Sequence, residues 1–125
     1  MTIKANLTGS GIAPLASIGI AGGNISNTLT AAGTNQATAL ALTSLNDIHV
    51  ITTAAASTGA VLPSSLSIGD QMVVVNGGAN SITLYPPSGG KLNNGTANAG
   101  LTVASTKAAH VFCIDNLNFA VVVSA

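Results

Sequence analysis

Along this chain, hydrophobic residues alternate with polar or small ones over short stretches, and turn residues interrupt the alternation roughly every ten positions. A period of two marks half-buried strands, because successive side chains leave opposite faces of the pleat. Thr38, Leu40 and Leu42 alternate with Ala37, Ala39 and Ala41, and Asn46-Asp47 then turns the chain. Ile48, Val50 and Thr52 share one face of the next strand, with Asp47, His49 and Ile51 on the other. Residues 54–58 read as a loop. A short strand ends at Val61-Leu62-Pro63, since Pro63 has no N–H to give to a ladder. The β-branched run 71–75 closes on Asn76-Gly77-Gly78, and residues 81–85 return from it. That pattern predicts a hairpin with Gly77 at positive φ, the conformation tight two-residue turns demand. Pro86-Pro87 stops the second run, and Ser88-Gly89-Gly90 and Asn93-Asn94-Gly95 form a turn-rich connection. Residues 101–105, 109–115 and 118–124 complete the set, the last two joined by a tight hairpin at Asn116-Leu117.

No interval carries a helical period. The expectation is an all-β fold, a single compact β-barrel or jelly-roll-like sandwich of about 7–8 strands formed by residues 36–125. Residues 1–35 differ. They hold apolar residues at Leu7, Ile12, Leu15, Ile18, Ile20, Ile25 and Leu29 without a sustained period. The expectation for them is an extended N-terminal arm whose apolar residues contact a partner, either a neighbouring subunit or a larger surface.

Composition narrows the function. The chain is 125 residues with 5% charged residues, namely three lysines and three aspartates, and no net charge. Nucleic-acid binding runs on Lys and Arg against phosphate, so no nucleic acid is expected as a partner. No apolar run approaches the roughly 20 residues that cross a bilayer, so no membrane is expected either. Lys4 precedes an apolar stretch at 12–21, but Pro14, Ser17 and Gly19 make it a poor signal-peptide core. The sequons at Asn6, Asn24 and Asn94 matter only in a eukaryotic secretory route. A single cysteine, Cys113, excludes an intrachain disulfide and a cysteine-cluster zinc site.

Candidate chemistry is sparse. Asp47 and His49, two apart, leave the same strand face, where they would orient a general base or supply two metal ligands. A site needs a third group, and the only other acids, Asp70 and Asp115, sit beside turns. The simpler reading is a pair of polar residues on a wet face. His110 and Cys113, three apart, fall on opposite faces, and Cys113 aligns with Ala109 and Val111 as a small buried hydrophobe. Neither a Gly-x-Ser-x-Gly elbow nor a phosphate-binding loop is present. Tyr85, before Pro86-Pro87, reads as a strand-end residue packed beneath its turn rather than as a stacking platform. No enzyme, cofactor or metal is expected.

The surface carries more information. Independent soluble domains typically cover themselves with about 25–35% charge. This chain instead holds Val73-Val74-Val75 and Val121-Val122-Val123 with hardly a charge beside them. Such strands call for covering by symmetry mates or a larger assembly. The series Gly59-Ala60-Val61-Leu62-Pro63, Gly69-Asp70, Val73-Val74-Val75-Asn76-Gly77-Gly78-Ala79, Thr83-Leu84-Tyr85-Pro86-Pro87 and Asn93-Asn94-Gly95 resembles one in tailed-phage capsid decoration (cement or head-stabilising) proteins. The resemblance covers residues 36–125. Its pattern departs at the C-terminal strand, which is aromatic-rich in that family and here carries Phe119 nearly alone. It implies a trimeric virion protein on the outer capsid surface, with the major capsid protein and its own copies as partners and no catalytic residues. The alternative is a phage tail or fibre β-module for host-surface attachment. An ice-binding protein would want a regular Thr-x-Thr ladder, which only Thr28-Leu29-Thr30 offers. A small hydrolase would want a pocket joining His49 or His110 to an acid.

Overall fold

The computed structural model describes residues 24–125. Among them there is no helix. The strands are β1 (Ile25–Thr30), β2 (Leu40–Ala41), β3 (Ile48–Thr53), β4 (Thr58–Val61), β5 (Gln71–Asn76), β6 (Ile82–Tyr85), β7 (Lys91–Leu92), β8 (Leu101–Val103), β9 (Ala108–Cys113) and β10 (Asn118–Val123). The period of two is visible in the burial. In β9, Ala109, Val111 and Cys113 point inward while Ala108, His110 and Phe112 are half-buried. In β5, Met72, Val74 and Asn76 point inward.

The strands form two sheets, ordered β1-β3-β5-β9-β10-β7 and β2-β4-β6-β8, which we term sheets A and B. The chain alternates between them from β1 to β6. Its pairings over that stretch are all parallel: β1 with β3, β3 with β5, β2 with β4 and β4 with β6. That is a coil, a β-solenoid of about four turns, and not the expected barrel or jelly roll. The final strands run back: β8 lies antiparallel to β6, β9 antiparallel to β5 and β10 antiparallel to β9. Strand β7 closes the far edge of sheet A, parallel to β10. The core lies between the sheets. One inward row of sheet A runs His49–Val74–Ala109–Val123 and another Met72–Val111–Val121. Sheet B answers with Leu84 and Ile82, both fully buried.

The predicted hairpin at Asn76-Gly77-Gly78 is the element that changes most. β5 and β6 belong to different sheets and do not pair. Asn76 is fully buried and holds the corner instead. Its Nδ2 donates to the carbonyls of Asn80 at 2.9 Å and Val103 at 3.0 Å, and its Oδ1 accepts the Gly78 N–H at 3.1 Å. Its backbone N–H donates to Lys107 O, and its carbonyl accepts from Thr106 N, both at 2.8 Å. The β5–β6 corner is thereby tied to the turn between β8 and β9. Gly77 takes no positive φ. The tight position is Gly78, where a Cβ would lie 2.6 Å from Ala54 Cβ and 2.7 Å from Ala54 N. At the other expected tip, Asn93 and Asn94 take the positive φ (51° and 60°), and Gly95 does not.

Two boundaries also move. The arm expected over residues 1–35 does not reach residue 35: Ile25–Thr30 is a paired strand of sheet A, and Ala31 is buried in the core. The strand expected over 38–42 shrinks to Leu40–Ala41, because Asn35 folds the preceding residues into a turn. Its carbonyl accepts from Ala39 N at 3.0 Å and its side chain from Thr38 N at 3.0 Å. The hairpin at Asn116-Leu117 is present between β9 and β10. Asp115 Oδ1 fixes it, accepting from Leu117 N at 2.9 Å and Asn118 N at 3.0 Å.

Candidate binding surface

Because inward and outward residues alternate in every strand of sheet A, its register sets a second family of rows on the outer face. One row runs Ile25–Ile48–Val73–His110–Val122 across five strands. Beside it lie Val50–Val75–Ala108 and Gln71–Phe112–Ala120. Ile25 is 52% exposed and Val122 63%, and Ile48, Val73 and His110 are half-buried. The polar members satisfy each other. His110 Nε2 lies 3.0 Å from Gln71 Oε1, and the His110 ring stacks on Phe112 with centroids 4.3 Å apart. No Asp, Glu, Lys or Arg falls in these rows; Asp47, Asp70, Asp115, Lys91 and Lys107 sit in turns or at strand beginnings. The result is a largely apolar face without Asp, Glu, Lys or Arg, and parallel pairing builds its β-branched part by setting like upon like, Ile48 on Val73 and Val50 on Val75.

Sheet B differs outside. Thr83 pairs with Thr102, and the Tyr85 ring lies between Gly59 and Gly100, where a Cβ on either would come to 3.0 Å from it. Tyr85 is packed on its own sheet, as its place at a strand end suggested. Between the segments that follow β4 and β6 and the β9–β10 hairpin, a shallow groove of about 680 Å³ is lined by Ser64, Ser67, Pro87, Ser88 and Asn116, among others, with no titratable side chain.

The remaining candidates separate. His49 is not on a wet face: it is 1% exposed and points into the core. Ile51, two residues on and on the same face, is fully buried and carries His49 inside with it, while Ile48 and Val50 lie on the other face. His49 Nε2 donates to Thr43 O at 3.0 Å, and the buried Nδ1 has no hydrogen-bond partner. Burial lowers its pKa below the usual imidazole value, against smaller upward effects of the Thr43 carbonyl and Asp47. No group of three His, Cys, Asp or Glu able to hold a metal occurs among the described residues. Cys113 is buried, and desolvation raises its thiol pKa, helped by the nearby Asp70 and Asp115. Asp115 is held below the ordinary carboxylate range by hydrogen bonds from Asn118 and the Leu117 N–H.

Of the residues expected to contact a partner, Leu7, Ile12, Leu15, Ile18 and Ile20 lie outside the described residues. Ile25 stands exposed at the end of the first outer row, whereas Leu29 is half-buried and packs against the core. The apolar outer face was hidden from sequence reasoning because it appears only once the register between distant strands is known. Comparison with protein-family models, with curated proteins and with solved structures finds no match.

Proposed function

We propose that this chain is a structural protein of a tailed-phage virion, which binds as a homotrimer to the outside of the mature capsid and stabilises it against the pressure of packaged DNA. The observation that carries the reading is the outer face of sheet A, broad, apolar and without formal charge. The resemblance of residues 36–125 to decoration proteins supports it. The action is linkage. A protein that binds the expanded shell, and not its precursor, stabilises each site by RT ln(1 + [L]/Kd), about 2.7 kcal/mol at a hundredfold excess over Kd. An interface of apolar burial and neutral hydrogen bonds is little screened by salt, whereas one built on phosphate contacts loses orders of magnitude in affinity.

The test is binding of purified protein to bare expanded capsids at about 50 mM and about 500 mM salt, with copies counted at saturation. Similar occupancy at both salts, a fixed copy number and greater heat resistance of decorated shells are expected. Light scattering is expected to return three times the 12.1 kDa chain mass. Absence of saturable binding overturns the reading. A second reading, a tail or fibre β-module, draws support from the coil itself, since among the described residues β1 and β2 stand at the edges of their sheets, the place where further coils stack.

A further inference from the structure

Segments 42–47, 62–70 and 86–90 each carry the chain from sheet B back to sheet A, so they line one lateral edge of the coil. The β9–β10 hairpin reaches the same edge, because β9 runs antiparallel to β5 and sets Phe112 opposite Gln71. Hydrogen bonds join these segments in series. Ser65 Oγ donates to Ser44 Oγ at 2.9 Å, Gly69 N to Cys113 O at 2.8 Å and Lys91 N to Leu117 O at 2.7 Å.

Turns ordinarily carry polar residues. Along this edge they hold four of the six large hydrophobics that stand exposed among the described residues: Leu45 (79%), Ile68 (73%), Ile114 and Leu117. A single exposed leucine carries no message, but a gathered apolar patch marks a contact surface. Ile68 and Leu117 line the groove of about 680 Å³, and a second groove of about 590 Å³ continues it past Leu42 and Pro63; the two share Ser64, Ser65, Pro87 and Ser88. A small ligand is enclosed over most of its surface, whereas a shallow groove of this form suits an extended chain.

Charge selects the occupant. Asp70 Oδ2 accepts the Ser67 N–H at 2.8 Å and Asp115 Oδ1 the Leu117 N–H at 2.9 Å, so two carboxylates are fixed to the walls of the groove. Lys91, exposed at the start of β7, is the one ammonium on this edge among the described residues. Two copies meeting through this edge would set like charges against each other, and an anionic lipid surface or nucleic acid would be repelled. We infer that this edge docks an extended protein segment that brings apolar side chains to Ile68 and Leu117 and a Lys or Arg to Asp70 and Asp115. It is a second surface, apart from the outer face of sheet A, and it stands independently of the virion reading.

The test selects peptides from a random displayed library on the full chain, then titrates the recovered peptide, synthesised, into isotope-labelled protein and maps the amide shifts by NMR. Recovered sequences should combine Leu, Ile, Val or Phe with Lys or Arg, and the shifts should concentrate at residues 64–68, 88 and 114–117. Affinity should fall between about 50 mM and about 500 mM salt, because exposed ion pairs are screened. Ile68→Ser with Leu117→Ser, both exposed side chains, should weaken binding at least about tenfold and leave the circular dichroism of the fold intact. If that variant unfolds, Asp70→Asn, which keeps an oxygen for the Ser67 N–H, takes its place and should weaken binding and flatten the salt dependence. No recovered peptide, acidic peptides, shifts centred on the outer face of sheet A, salt-independent affinity or full binding by the variant each overturns the proposal. So does binding to phosphatidylserine vesicles that the variant loses, or a change of oligomeric mass in the variant, which would assign the edge to a lipid surface or to a second copy.

Discussion

Replacing Asn76 by alanine tests the account of the fold at its most concentrated point. The side chain is fully buried and satisfies three groups: the carbonyls of Asn80 and Val103 and the N–H of Gly78. Alanine leaves all three without that partner in a closed corner. At the low end of the range for a buried unsatisfied group, about 1 kcal/mol each, the loss is about 3 kcal/mol, and the cavity adds to it. Against a total stability of about 5–15 kcal/mol, that is a large fraction. For a domain of this size, each kcal/mol is worth about 4–8 °C, so the melting temperature should fall by at least about 12 °C. Asn76→Asp sharpens the test, since it keeps the shape and the acceptor for Gly78 but turns a carboxylate toward two carbonyl oxygens. That repulsion raises the folded-state pKa of the new acid. The variant should therefore be most stable at low pH and lose stability as pH rises past the ordinary carboxylate range. Thermal unfolding followed by far-UV circular dichroism measures both effects. An Asn76→Ala protein within about 1 kcal/mol of the parent would refute the claim that this side chain ties the corners together.

Three further outcomes follow from the geometry. His49 has its pKa lowered by burial, so the unfolded chain binds its proton first; stability should fall as pH drops below 6.5, by at most about 1.4 kcal/mol per pH unit, and His49→Gln should remove that slope in melts across the range. Gly78→Ala should cost about 1–3 kcal/mol in urea unfolding, because a Cβ there meets Ala54 at 2.6 Å. Gly77→Ala, whose Cβ meets only Ile51 O at 3.2 Å, should cost less, and the reverse order would contradict the corner geometry. Cys113 is 3% exposed with a raised thiol pKa, so it should resist a thiol reagent in native protein and react fully in urea; rapid native labelling would contradict its burial.

Local chemistry was readable directly in the chain. Period-two alternation marks most of the strands, Pro63 and Pro86 lie just beyond the ends of β4 and β6, and Asn116-Leu117 sits in a real hairpin turn held by Asp115. The alternation also places Cys113 inside and His110 outside. The candidate surface was legible only as an excess of uncharged β-branched residues. Residues 25–30 and 71–85 show why the rest was not. A strand with alternating faces looks the same whether its partner runs parallel or antiparallel, and Asn-Gly serves a corner between two sheets as well as a hairpin within one. The recurrence of like strands about 25 residues apart, as from Ile48 to Val73, is the signal that would have favoured a coil.

By itself, then, the sequence determined an all-β chain with a light aliphatic core and turns at defined places. Tertiary structure alone decided that β1, β3 and β5 stack in parallel, that His49 lies inside, and that Ile25, Ile48, Val73 and Val122 meet in one row. The physical reason is range. Burial period and turn propensity are set by residues within a few positions of each other, whereas strand direction and register are set by hydrogen bonds between residues some twenty or more apart, such as Asn76 to Val103.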